Sequence, residues 1–172
     1  ERDVDSLIQT YGRGELEAFP GRTTAETLEL RILEPLNKAR NQCGTIAMES
    51  SGETAAVTMA RSGARGNMLN IAQMSAVVGQ QALRGKRVER GYKGRTLSYF
   101  RPGDLSPEAR GFISKSFKSG MNPAEFFFGS MTGRDSLMDT ALRTPKSGYL
   151  YRRLSNAMQD LKVEYDNTVR DV

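Results

Sequence analysis

The most constraining feature of this sequence is a run of helical phase from Pro123 to about Leu161 with a proline and three glycines inside it. Phe127, Met131, Met138, Leu142 and Tyr149 follow at spacings of 4, 7, 4 and 7, and Leu154, Ala157, Met158 and Leu161 continue the pattern. Such spacing marks an amphipathic α-helix. A helix over 123–154 would be roughly 48 Å long at about 1.5 Å per residue, more than most single domains need. Yet Gly129, Gly133 and Gly148 each cost a helix about 1 kcal/mol against Ala, and Pro145 about 3 kcal/mol. A helix that only filled a core would not normally carry these four residues. They make sense where a ligand must approach closely and the rod must bend.

Pro145 has no N–H for the Ala141 carbonyl, and its ring crowds that carbonyl. Ser147 can compensate by bonding back to a nearby carbonyl, while Gly148 weakens the same turn. Two readings follow. Either Pro145 ends one helix and Tyr149 begins another, or one helix persists and kinks near Pro145. Charge favours the kink. Arg143, Lys146, Arg152 and Arg153 surround the weak turn, with Thr144 and Ser147 as neutral donors and Tyr149 as a flat surface. Cations position phosphates, and aromatic or small residues meet bases. The expectation is a kinked basic helix that senses a nucleic-acid strand.

Composition narrows the chemistry. The 172 residues suffice for one or two small domains, and no tract is apolar for long enough to span a bilayer. No charged segment followed by an apolar one opens the chain, and the start at Glu1 reads as a fragment or a processed subunit. The single cysteine, Cys43, rules out an intramolecular disulfide and reads as a small buried hydrophobe in a reducing compartment. Histidine is absent, so a zinc centre and a Ser-His-Asp or Cys-His triad are excluded. The net charge of +5 conceals a gradient. Residues 60–120 hold 12 Lys and Arg against 3 Asp and Glu, whereas residues 1–59 hold 6 against 10. The basic block calls for an anionic neighbour, whether nucleic acid, nucleotide phosphates or an acidic protein.

The remainder reads as mainly α. Thr23 and Glu26 form a capping-box pattern ahead of Leu28, Ile32, Leu36 and Ala39, with a kink or short break expected at Pro35. A second tract from about Glu53 to Met59 is interrupted by "RSGARGN". Asn67 then caps a long helix through "MLNIAQMSAVVGQQALRG", with Leu69, Ala72, Ala76, Val77 and Leu83 on one face, giving a long antiparallel pair. Residues 85–103 suit irregular basic chain with minor β. "SPEARGFISKSFKSG" predicts a short helix with Ser106 as cap, Pro107 in the first turn and Gly120 as terminator. Asn122 and Pro123 start the last helix, and "LKVEYDNTVRDV" alternates like a strand or an extended exit.

The stretches "GNMLNIAQMSAVVGQQALRGKR", "RTLSYF", "SPEARGF", "FFFGSMTGRDSLMDTALRTPKSGYLYRRL" and "VEYDNTVR" together resemble the largest subunit of multisubunit DNA-dependent RNA polymerases, closest in style to the archaeal form. The resemblance covers nearly the whole chain in order and is weakest before Arg61. It implies that residues 1–120 form the funnel, the wall of the secondary channel through which nucleoside triphosphates enter. It implies that residues 121–160 form the bridge helix, which supports the template at the active centre and bends during translocation, and that 161–172 begin the next segment. By motif, Thr144, Pro145 and the neighbouring Lys146 and Gly148 lie where the helix meets the template base. Tyr149, Arg152 and Arg153 lie on the template backbone, with Arg143 adjoining. Arg65 resembles a basic residue near the pore. Leu69, Gln73, Gln80, Gln81 and Lys86, with Ala72 and Gly85, resemble the funnel side of a pocket that binds a cyclic peptide toxin in eukaryotic relatives.

Departures from the family pattern include Gly129 in place of a common His, Asp135 in place of Glu, Pro145 in place of a small non-proline residue, and Asn167 in "YDNTVR". The first two leave the toxin pocket without its usual bridge side, and Asn167 can hold a positive φ at modest cost. The family's magnesium-binding NADFDGD motif and its trigger loop are not in the sequence. The resemblance therefore implies a non-catalytic part of a DNA-directed RNA polymerase, a nucleotidyltransferase, with Mg2+ held by another segment of the complete enzyme. The implied partners are the remaining polymerase subunits, the rest of the largest subunit, DNA template, RNA–DNA hybrid, nucleoside triphosphates and a cleavage factor in the secondary channel. No membrane is implied, and the expected compartment is the cytoplasm, or the nucleus in a eukaryote.

Three other readings bear on function. "GQQALRGKR" approaches a phosphate-binding loop, but its spacing is one residue too long and no strand precedes it. Asp135 and Asp139 lie one turn apart and are better placed to pair with Arg134 and Arg143 than to act as acid and base. A stand-alone helical adaptor that binds nucleic acid or an acidic protein would give a stable monomer with salt-sensitive binding.

Overall fold

The computed structural model describes residues 2–89 and 91–171 and is mainly α, with five helices and small strand pairs. It divides into two compact units, one ending at Thr132 and the other beginning at Gly133.

In the first unit, α1 (Arg2–Gly12) packs on α2 (Thr24–Ser50). Val4, Leu16, Leu28, Ile32 and Leu36 form their shared core, with Leu105 and Phe112 packed against it. The capping box is formed at the start of α2: Glu26 N–H donates to Thr23 Oγ1, and Thr23 N–H donates to Glu26. Pro35 does not break α2, which runs unbroken for 27 residues. The proline removes one backbone bond, but Ile32 and Leu36, 0% and 3% exposed on either side, hold the helix by packing. Two short helices follow, α3 (Ala55–Ser62) behind Thr54 and α4 (Met68–Ser75) behind Asn67. α4 packs on α2.

The second long helix of the expected antiparallel pair is not formed. α4 ends at Ser75, and the chain from Val77 onward turns into strands. Val77 and Val78 are buried β-branched residues, and Gly79 holds φ +89. A Cβ at Gly79 would sit 2.8 Å from Arg40 Cδ, so the glycine allows both the turn and the approach of α2. β1 (Gly79–Gln80) then pairs antiparallel with β4 (Phe112–Ile113), and β2 (Ala82–Leu83) pairs with β3 (Lys86–Arg87).

The helix expected after Ser106 is likewise replaced. Ser106 caps a single turn, in which Ala109 N–H donates to its Oγ, before Gly111 enters the left-handed region at φ +89. Downstream, the backbone pairs with distant chain: Val78 N–H donates to Lys115 O and Phe117 N–H donates to Gln73 O. These non-local bonds take groups that a helix would have used internally. Val88, Phe100, Ala109 and Phe128 form a second core, in which the Phe100 and Phe128 rings stack at 6.3 Å.

α5 (Pro123–Met158) is a single 36-residue helix. Asn122 and Glu125 cap it reciprocally, Glu125 N–H to Asn122 Oδ1 at 3.1 Å and Asn122 N–H to Glu125 Oε2 at 2.9 Å. Pro145 lies inside the helix and does not end it, which removes the two-helix reading. In the second unit α5 is followed by the hairpin of β5 (Leu161–Val163) and β6 (Val169–Asp171). Asn167 takes the positive φ, +61, in its turn.

Candidate nucleic-acid interface

From Gly133 to Met158 every residue of α5 except Asp135 is exposed. Leu137 is 75% exposed, Tyr149 64% and Tyr151 73%, so large apolar side chains stand open along the helix. The weak turn keeps the composition read from the sequence. Thr144 Oγ1 donates to Thr140 O at 2.9 Å, and Thr140 Oγ1 donates to Ser136 O at 3.0 Å. The back-bonding hydroxyls thus lie on Thr140 and Thr144, N-terminal to Pro145, whereas the sequence points to Ser147 on its C-terminal side. A Cβ at Gly148 would meet nothing within 4 Å, so packing inside this chain does not account for the glycine.

The four cations around Pro145 do not share one face. At about 100° per residue, Arg143 and Arg152 project from opposite sides of the helix, with Lys146 and Arg153 between. Arg143 is committed to Asp139, Nε to carboxylate at 2.8 Å, as the spacing had indicated. Arg153 lies over the Tyr149 ring, 5.5 Å from its centroid, a cation–π contact that covers one face of the aromatic surface. Lys146 and Arg152 form no ion pair among the described residues.

The apolar stripe changes sides with them. Leu137, Met138, Ala141, Leu142, Pro145 and Tyr149 fall within one arc at about 100° per residue. Leu150, Tyr151, Leu154, Ala157 and Met158 fall within an arc roughly opposite. The step of 5 residues from Tyr149 to Leu154 breaks the earlier series of 4 and 7, while Leu154 and Met158 resume a spacing of 4 on the other side. The adjacent pair Tyr149–Leu150, where the arcs change over, was the available clue.

The funnel-side residues separate into three groups. Gln73 and Gln81 line one cavity of about 250 Å3, together with Phe117, Phe126 and Gly129. Gln80 is turned into the fold, where Nε2 donates to Gln81 O and Arg110 O, both at 2.8 Å. Lys86 opens on a different cavity, and Arg65 is exposed in the loop between α3 and α4. Leu69 is half-buried on α4. Among the described residues no three Asp, Glu or Cys side chains gather as a metal site. No described helix is long and apolar enough to cross a membrane.

Comparison with known proteins places these features in one family. Residues 8–113 match RNA polymerase Rpb1, domain 4, and residues 120–172 match RNA polymerase Rpb1, domain 5. DNA-directed RNA polymerase subunit Rpo1N of Halococcus morrhuae is 59% identical over 169 residues, 98% of this chain and 48% of that protein. Rpo1N of Thermococcus celer is 55% identical over 172 residues, 99% of the chain and 19% of that protein. The corresponding subunit of Sulfolobus acidocaldarius is 51% identical over 170 residues, 98% of the chain and 19% of that protein. The chain thus spans about half of one relative and about a fifth of the other two. With the two domains matched in sequence order along nearly its whole length, the chain belongs to the RNA polymerase Rpb1 family, that of the largest subunit.

Proposed function

We propose that the chain is a non-catalytic part of a DNA-directed RNA polymerase, in which residues 1–120 wall the nucleotide entry channel and α5 is the bridge helix. In this reading α5 supports the template strand at an active centre whose magnesium-binding aspartates lie in another segment, and it bends at Pro145 during translocation. Its partners are the other polymerase subunits, the rest of the largest subunit, the template and hybrid, nucleoside triphosphates and a cleavage factor, within the cytoplasm. The observation that carries this reading is the uninterrupted, exposed stretch Gly133–Met158, with Pro145 and Gly148 in its middle. A helix with so much open apolar surface calls for other chains to cover it. The stand-alone adaptor reading leaves Leu137, Leu142, Leu150 and Leu154 in water.

The test is Pro145→Ala in the assembled polymerase. Alanine restores the N–H toward Ala141 and removes a penalty of about 3 kcal/mol against helical geometry. The expected outcome is a changed elongation rate with intact assembly. An unchanged rate would remove the mechanical role of this turn.

A further inference from the structure

A cavity of about 700 Å3 lies between the start of α2 and the β2–β3 hairpin, and the proposed bridge-helix function makes no use of it. Its charged wall is not balanced. Arg22, Arg84, Lys86, Arg87 and Arg110 stand on it with Glu26, Glu29 and Glu89. Glu29 is already neutralised by Arg87, which is buried and bound to it through two nitrogens at 2.7 and 2.9 Å. Glu26 is engaged with the Thr23 N–H in the capping box. Arg22 and Lys86 form no ion pair among the described residues, leaving the cations in excess.

The hairpin tip adds a second, independent observation. Arg84 and Gly85 both hold positive φ, +51 and +81, as a two-residue turn between antiparallel strands requires. Asn or Gly is favoured at the first of these positions, and an arginine there is an uncommon conformation. Strained backbone of this kind is concentrated at functional sites. Here it holds a guanidinium-bearing residue on the cavity wall beside Lys86. Tyr11, Leu30, Leu33 and Leu105 line the remainder of the cavity, so it combines a cationic rim with apolar surface. Ligand sites of this volume combine apolar walls with a few placed charges.

We propose that this cavity binds a phosphate-bearing small molecule, with Arg22, Arg84 and Lys86 as the phosphate-binding groups. Two sources share that chemistry, inorganic polyphosphate and a nucleoside triphosphate. The test is hydrogen exchange of the peptides covering 22–33 and 82–89, measured on the full-length chain in its native assembly. Increasing tripolyphosphate should slow exchange in both peptides. Arg84→Gly removes the cation and relaxes the turn, so the hairpin stays formed while the midpoint concentration rises about tenfold or more. Lys86→Ala should do the same without touching the turn, and Arg84→Lys should keep most of the binding. A lower midpoint for nucleoside triphosphate would mean that the apolar wall reads the nucleoside, and equal midpoints that phosphate alone is read. No slowing with either ligand would overturn the proposal. So would unchanged midpoints in both Arg84→Gly and Lys86→Ala.

Discussion

Arg87 donates from Nε and Nη2 to the two carboxylate oxygens of Glu29, at 2.7 and 2.9 Å, across 58 residues of chain. The Arg87 side chain is 1% exposed and the Glu29 side chain 35%. This asymmetry decides which partner can be lost. Without Glu29, Arg87 keeps only its bond to the Leu105 carbonyl and remains buried as an uncompensated charge. Glu29→Ala should therefore destabilise the β2–β3 region by about 3–5 kcal/mol, read as faster hydrogen exchange of residues 82–89. Arg87→Ala should cost less, because the carboxylate left behind is partly solvated. Equal effects would mean that the burial asymmetry has no energetic consequence.

The β5–β6 turn has a pH dependence of definite sign. The Asp166 carboxyl is held below its ordinary value of 3.8, chiefly by the Thr168 hydroxyl, then by the Thr168 N–H, with Arg170 adding to them. A depressed folded value means that the unfolded chain takes up the proton first as pH falls. The contribution is therefore present in full above 3.8 and is lost as pH drops through the lower folded value. The Thr168 amide, which donates to Asp166 Oδ1 at 3.1 Å, should report this as an NMR shift. Asp166→Asn should abolish the transition, and its persistence would assign the titration to another group.

Tyr149 and Leu154 lie on roughly opposite sides of α5, both exposed. If Tyr149 handles the template by stacking, Tyr149→Ala should weaken template retention by about 1–3 kcal/mol, the usual worth of one base–aromatic contact. Leu154→Ala should have a smaller effect on the template and a larger one on subunit association. The cation–π contact adds a further expectation, that Tyr149→Ala and Arg153→Ala are non-additive. Equal template losses at 149 and 154 would mean that stacking is not what Tyr149 does.

What could be read from the sequence was whatever neighbours in the chain determine. The caps at Thr23, Asn67 and Asn122, the i,i+4 pair Asp139–Arg143 and the positive φ of Asn167 are local, and each is formed in the structure. Segments whose backbone bonds run to distant chain were misread. The turn at Ser106 begins as its cap suggests, but Ile113 is drawn into pairing with Gly79, more than thirty residues earlier. The same pairing ends the helix after Asn67, since Gly79 cannot serve both a helix and that bridge. Along α5 the helix itself was legible, and the reversal of its apolar side is marked in the sequence by the step of 5 residues from Tyr149 to Leu154, which breaks the intervals of 4 and 7. The Glu29–Arg87 pair had no local signature at all.

The most direct measurement places a photo-reactive residue at position 149 in a transcribing polymerase and identifies what it captures. The expected product is the template strand, at or next to the nucleotide being copied, with far less capture from position 154. Capture of protein alone from 149, or equal capture of template from both positions, would contradict a bridge helix that carries the template on its Tyr149 side.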